Sequence, residues 1–260
     1  AMCQRQAVGL AALKRAKFGH LGQHHGDDLE PVDLILAELP RIGTLDHQDT
    51  QLFSDPLDRH AKKAGEDLFP CLGHEPETGF GRCGTHWFGI DHWGVVPDIM
   101  VMAKGIANGA PVGATITTDE VAHGWKGKTI STFGGTPVSM AALCATQDVL
   151  REQNAPANCE ARGAQLRAGL EQIQSRHAWI GDVRGMGLMQ ALEIVKDPTS
   201  KAPDIERTSK LLEATRDEGV LVGQGGLHGT CIRLGPSMLI SEEDIAEGVQ
   251  KFAAACDRVG

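Results

Sequence analysis

The chain has 260 residues, of which 41% are hydrophobic and 23% charged, with a formal net charge of -9 at pH 7. That length suits one large domain or a larger and a smaller one, and the acidic balance excludes the basic footprint of a nucleic-acid binder. No apolar run reaches membrane-spanning length and the first residues hold no signal-like apolar stretch, while seven cysteines scattered without a C-x-x-C pair suit reduced thiols in a cytoplasmic or organellar-matrix compartment.

In chain order, Ala7 to Lys17 and Pro31 to Leu39 read as helices. Between them lies His20-Leu21-Gly22-Gln23-His24-His25-Gly26-Asp27-Asp28. Adjacent side chains do not converge on one face of a helix or strand, so this reads as a solvated polar loop and no metal site is assigned. Asp46 to Lys63 is polar and turn-rich and receives no regular element. A Pro97-Asp98 turn then launches Ile99-Met100-Val101-Met102-Ala103, which reads as a buried strand over 98–103. Pro111 to Thr117 is a second β-leaning run. The aromatic clusters Trp87-Phe88-Gly89-Ile90 and Trp93-Gly94-Val95-Val96 read as core packing near a subunit contact.

Helices follow from Pro137 to Glu152, with Thr136 as N-cap and proline at its first position, and from Ala157 to Arg176. Trp179 to Val183 and Leu188 to Val195 read as strands around an Arg184-Gly185 turn. Pro203 to Glu218 reads as a helix, Val220 to Val222 and Thr230 to Leu234 as strands, and Ser241 opens a last helix that runs to about Val259.

Strand 98–103 delivers Lys104 straight into Gly105. A lysine leaving a buried strand sheds water, which disfavours its ammonium form and leaves the free amine that a Schiff-base nucleophile needs. Upstream stands Thr78-Gly79-Phe80-Gly81-Arg82-Cys83-Gly84, and downstream come Gly105-Ile106-Ala107-Asn108-Gly109 and Ser131-Thr132-Phe133-Gly134-Gly135-Thr136-Pro137. These motifs, in this order, resemble the class III (omega-type) aminotransferases, pyridoxal-phosphate enzymes of fold type I. Within that class, Ala103 to Gly109 and Gly181-Asp182-Val183-Arg184-Gly185-Met186-Gly187-Leu188-Met189 look most like the alanine–glyoxylate group.

The resemblance runs from about Thr78 to the C-terminus. It implies an α/β fold with a mostly parallel sheet, forming part of a fold type I large domain at 74–155. A linking helix and a C-terminal α+β small domain then occupy 156–260. Residues 1–73 do not match the family, whose upstream region supplies the phosphate-cradling loop, so the chain reads as N-terminally truncated with an atypical leading segment. A reading-frame change upstream of Thr78 would produce such an onset.

By the same resemblance, Lys104 holds pyridoxal 5'-phosphate as a Schiff base and then moves the substrate α-proton. Thr132 reaches the cofactor phosphate of a neighbouring subunit, implying a homodimer with shared active sites. Arg233, in Ile232-Arg233-Leu234-Gly235-Pro236, binds the substrate carboxylate with its planar fork, and Arg184 is structural. His74 and Glu77 stand where the family has an aspartate beside the pyridine nitrogen and a glutamine facing the ring oxygen. Neither substitution reproduces the family chemistry, and Pro76 removes a donor from an expected central strand. The implied activity is transfer of an amino group from an alanine-like donor to a 2-oxo acid such as glyoxylate or pyruvate. Two alternatives stand beside it: 4-aminobutyrate or other omega-amines as substrates, and a catalytically impaired fragment acting only as an assembly partner.

Overall fold

The computed structural model describes residues 34–35, 72–74, 78–124, 126–127 and 130–260. The readings for Ala7 to Lys17, for the histidine-aspartate stretch at 20–28, for Asp46 to Lys63, and for Pro76 and Glu77 lie outside the described residues. The described residues divide into two units. One holds 34–35, 72–74, 78–80 and Phe88–Gln153, the other Gly81–Trp87 and Asn154–Gly260.

In the first unit, β1 (Leu34–Ile35), β2 (Leu72–His74), β3 (Ile99–Met102) and β4 (Ala114–Thr117) form a sheet of order β1-β4-β3-β2. Strands β2 and β3 are parallel, with Leu72 opposite Ile99 and His74 opposite Val101. The other two pairings are antiparallel, which corrects the expectation of a mostly parallel sheet. The cause is local: no crossover helix separates β3 from β4, so the chain can only return beside itself in the opposite sense. A second correction concerns Pro31 to Leu39, where a helix was expected. Leu34–Ile35 instead pairs with Ile116 and Thr115, because the free edge of β4 offers a ladder that overrides local preference.

Strand β3 is fastened at its start, where the Asp98 carbonyl accepts from Thr117 Oγ1 (2.9 Å) and the Thr118 amide (3.2 Å). Its first three residues are half-buried and Met102 alone is buried. After the short helix α1 (Asp119–Gly124), helix α2 (Pro137–Glu152) begins on its proline and ends as the periodicity predicts. Thr136 occupies its N-cap position, yet its side chain makes no capping bond. The inner face of α2 carries Ser139, Met140, Leu143, Gln147 and Leu150 at the spacing of one helical stripe. Phe88 is buried edge-on against Phe80 at 5.6 Å, whereas Trp93 is 45% exposed.

In the second unit, β5 (Ile180–Met186), β6 (Met189–Ile194), β7 (Gly223–Gly225) and β8 (Cys231–Leu234) form an antiparallel sheet of order β5-β6-β8-β7. Helices α3 (Ala155–Gln174), α4 (Ile205–Asp217) and α5 (Glu242–Val259) supply Leu166, Leu170, Leu211 and Phe252 to a core shared with Leu192, Ile194 and Ile232. Alternation decides which face is inward: Ile232 and Leu234 are buried while Arg233 between them is exposed. Each fully buried large side chain contributes roughly 1.5–3 kcal/mol to this core.

Two caps set helix starts. Asp204 accepts from the Arg207 amide at 3.0 Å, so α4 starts at Ile205 and not at Pro203. Ser241 accepts from the Asp244 amide at 3.0 Å and opens α5 as expected.

The expected Arg184-Gly185 turn is displaced. Both residues lie inside β5, and the chain reverses through Gly187 and Leu188. Glycine at the first position of a two-residue hairpin loop, with φ +50, explains the choice. Space fixes it as well. A Cβ on Gly187 would lie on the Arg82 carbonyl, 2.6 Å from the Cys83 carbonyl carbon and 2.7 Å from the Gly84 nitrogen. Across from it, a Cβ on Gly163 of α3 would overlap the Gly187 carbonyl. The Leu188 amide donates to the Arg82 carbonyl at 2.9 Å, so segment Gly81–Trp87 is sewn to this hairpin. Val220 to Val222, expected as a strand, does not pair, and the edge strand forms at Gly223–Gly225 against β8. Among the described residues no helix is long and apolar enough to cross a membrane.

Candidate active site

The first unit places Lys104 at the carboxyl edge of a parallel strand pair. Strand β2 ends at His74, opposite Val101 of β3, and Lys104 follows β3 by two residues. In parallel sheets this edge is where ligands bind, because the chain turns away there and leaves a crevice. Ala103 is extended (φ -160) and Lys104 flips to φ 56, opening a 3-10 turn over Lys104–Ala107. A non-glycine residue in the left-handed region costs on the order of 1–3 kcal/mol and persists only where its surroundings hold it.

The holding groups are visible. Ile106 and Ala107 are buried, and Gln147 of α2 donates from Nε2 to the Ile106 carbonyl at 3.1 Å in a buried bond. The turn closes through Asn108 and Gly109, both with positive φ.

Lys104 itself is exposed. The expected desolvation by a buried strand is therefore not supplied here: β3 is buried only at Met102, and the turn carries the lysine outward. Thr132 is also exposed, in the loop that leads into α2, whose body packs on the lysine turn. That loop is shaped by Ser131 Oγ, which accepts from the Gly134 amide at 2.8 Å. Exposed Ile130, Phe133 and Val138 flank Thr132. His74 is placed as the last residue of β2.

Arg233 belongs to the second unit. It stands on the open face of β8, in register with Ala191 on one side and Gly223 on the other. Arg184 is tied to Asp182 at 2.9 Å and to Glu193 at 2.8 Å, which suits its structural assignment.

Two residues escaped the sequence reading. Gln147 carried a signal: it is the one amide in the apolar stripe Met140, Leu143, Gln147, Leu150, and a buried polar side chain must find a partner. Arg82 carried none. Its guanidinium Nη1 donates to the Pro236 carbonyl at 2.8 Å, across 154 residues of chain.

Pyridoxal phosphate asks for an amine, for donors to a phosphate, and for an anion beside its ring nitrogen. Lys104 offers the amine, with open space beside it, since a Cβ on Gly105 or Gly109 would meet nothing within 4 Å. Thr132 offers a hydroxyl in a glycine-containing loop ahead of a helix start. The ring end does not fit in the same way, because position 74 holds histidine and not a carboxylate.

Residues 73–256 match the aminotransferase class-III family. An alanine–glyoxylate aminotransferase 2 homologue from Arabidopsis thaliana is 39% identical over 241 residues, covering 88% of this chain and 50% of that protein. A taurine–pyruvate aminotransferase from Bilophila wadsworthia is 37% identical over 188 residues, covering 66% and 41%. A crystal structure of a Bacillus anthracis aminotransferase superposes with TM-score 0.68 at 30% identity, over 72% of this chain and 44% of that one. The chain thus spans about half the length of the Arabidopsis relative. Coverage of 88% exceeds what residues 74–260 can supply, so the likeness reaches into the first 73 residues. The family match itself begins at residue 73, close to where the motifs placed its onset.

Proposed function

The chain belongs to the class III aminotransferases, with the fold type I architecture of that family, and from this premise we propose that it carries the lysine-bearing part of a pyridoxal-phosphate transaminase. The proposed reaction moves an amino group from an alanine-like donor to a 2-oxo acid such as glyoxylate or pyruvate. What carries the reading is Lys104, held in a left-handed turn at the carboxyl edge of the β2–β3 pair.

In this reading Lys104 would hold the coenzyme at its aldehyde end, and Thr132 would offer its hydroxyl to the phosphate of the coenzyme held by a neighbouring subunit. When bound, the coenzyme supplies the electron sink that lets a proton leave the carbon bearing the amino group. Lys104 Nζ takes that proton and returns it, and Arg233 fixes the substrate through its carboxylate by two parallel N–H donors. Exposed Ile130, Phe133 and Val138 around Thr132 suit a loop covered by a second copy in a homodimer. The Arabidopsis relative is named as mitochondrial, which favours an organellar matrix among the compartments considered.

The donor is the finer question. Relatives named for alanine–glyoxylate and for taurine–pyruvate chemistry lie within two percentage points of identity of each other, so omega-amines stay as the alternative substrates. A second reading, a fold and assembly partner without turnover, is favoured by His74, which cannot act as the ring's anion.

An absorption spectrum taken after adding pyridoxal phosphate tests the proposal. A visible band in the native chain that disappears in Lys104→Ala is expected. Its absence from the native chain refutes the cofactor assignment. A band without transamination of alanine and glyoxylate decides for the assembly partner.

A further inference from the structure

Arg82 has no part in the reaction as proposed, yet its guanidinium Nη1 donates to the Pro236 carbonyl at 2.8 Å. Pro236 stands three residues after Arg233, where the chain leaves β8. Proline has no N–H, so this segment cannot continue the sheet ladder and must be held otherwise. Three side chains hold it, Cys159 among them through its Sγ, which donates to the Met238 carbonyl at 3.8 Å. Arg82 takes the end next to β8, and Asn158 Nδ2 takes the far end by donating to the Met238 and Ile240 carbonyls at 2.9 and 3.1 Å.

The base on which Arg82 stands is stiff. Its own carbonyl accepts from the Leu188 amide at 2.9 Å. Its neighbours Gly81 and Gly84 lie against α3 so closely that a Cβ on either would overlap Pro156 (2.6 Å) or the Glu160 carboxylate. Gly187 closes the remaining side. A charged donor on a fixed base is a geometric reference: β8 is paired on both sides at Arg233, and Arg82 sets where the backbone runs just beyond it, and so what flanks that guanidinium.

We propose that Arg82 is the positioning residue for Arg233, aligning its guanidinium fork for a substrate carboxylate through the Pro236 carbonyl. This rests on the reading of Arg233 as the carboxylate-binding residue. The bond is local to the second unit, as is every contact from the β5–β6 hairpin through Arg82 to Pro236. A bidentate pair is sensitive to such alignment, because both N–H vectors must meet both oxygens at once.

The test uses the full chain labelled with 15N-arginine and titrated with pyruvate. The Nε–H signal of Arg233, identified by its loss in Arg233→Lys, reports binding. Arg82→Ala is expected to weaken pyruvate binding about tenfold, the effect of one charge-assisted bond on fork alignment. Amide hydrogen exchange should quicken at 234–237. Arg82→Lys, which keeps a charged donor, should recover part of the affinity and keeps the question open to measurement if the alanine variant does not fold. Asn158→Ala loosens the same loop from its far end and should leave pyruvate affinity within about twofold of native.

Equal affinity in Arg82→Ala and the native chain overturns the proposal. So does an equal loss in Asn158→Ala, since loosening of the loop would then account for everything. A native chain in which pyruvate leaves the Arg233 signal unmoved overturns instead the carboxylate role of Arg233, and the positioning role with it.

Discussion

Replacing Gly187 by alanine should be among the most damaging single-methyl changes in the second unit. The backbone there has φ +50 and the space for a Cβ is filled by the Arg82 carbonyl, by Cys83 carbon at 2.6 Å and by Gly84 nitrogen at 2.7 Å. Forcing an alanine into the left-handed region costs about 1–2 kcal/mol. Overlap with main-chain atoms that are themselves fixed adds roughly 1–3 kcal/mol, giving about 2–5 kcal/mol in all. Gly219 separates the two contributions. It too has a positive φ (+82), at the end of α4, but its Cβ would find only the Lys251 ammonium nitrogen at 3.9 Å, so Gly219→Ala should cost about 1–2 kcal/mol.

Urea unfolding of the two variants beside the native chain measures the difference, with the buried Trp179 of the second unit as fluorescent reporter. Gly187→Ala should shift the midpoint well below that of Gly219→Ala with m unchanged. Equal midpoints would show that segment 81–84 yields freely, and the picture of a stiff base under Arg82 would go with them.

Two further outcomes follow from buried groups. Gln147→Ala strands the Ile106 carbonyl, which should cost about 1–3 kcal/mol and loosen the turn bearing Lys104; faster tryptic cleavage after Lys104 than in the native chain checks this, and an unchanged rate refutes it. Burial pushes the Cys159 thiol up to about 11 and the Cys256 thiol up to about 12. A group whose acidity is weakened on folding stabilises below its unfolded value and loses that contribution as pH rises. Stability of the second unit should therefore decline from about pH 9 upward, and serine at both positions should flatten that limb of a melting-temperature profile.

How much of this was legible depended on how far apart the partners lie in sequence. Helix α2 could be read at both ends because proline and periodicity are local signals. Ser241 announced α5 for the same reason. The hairpin turn was misplaced because Gly185 and Gly187 offer two candidate reversals two residues apart, and the choice is made by atoms of segment 81–84 that no local pattern reveals. The strand at Gly223–Gly225 has little β preference of its own and exists because β8 presents an edge. Lys104 stood out through its flanking motifs, but its exposure did not, since whether a strand is covered depends on what packs over it. Arg82 was visible as a letter in a motif and invisible in its role.

The ownership of Gly81–Trp87 bears on any attempt to dissect the gene. Those seven residues fold with Asn154–Gly260 although more than sixty positions intervene. Expressing the C-terminal region alone would strip the Leu188 amide and the Pro236 carbonyl of their acceptor and donor, and uncover Gly187 together with Pro156 and Glu160 of α3. A chimera that swaps this region between relatives must therefore transplant two separate pieces of coding sequence, the long one and the short excursion that completes it.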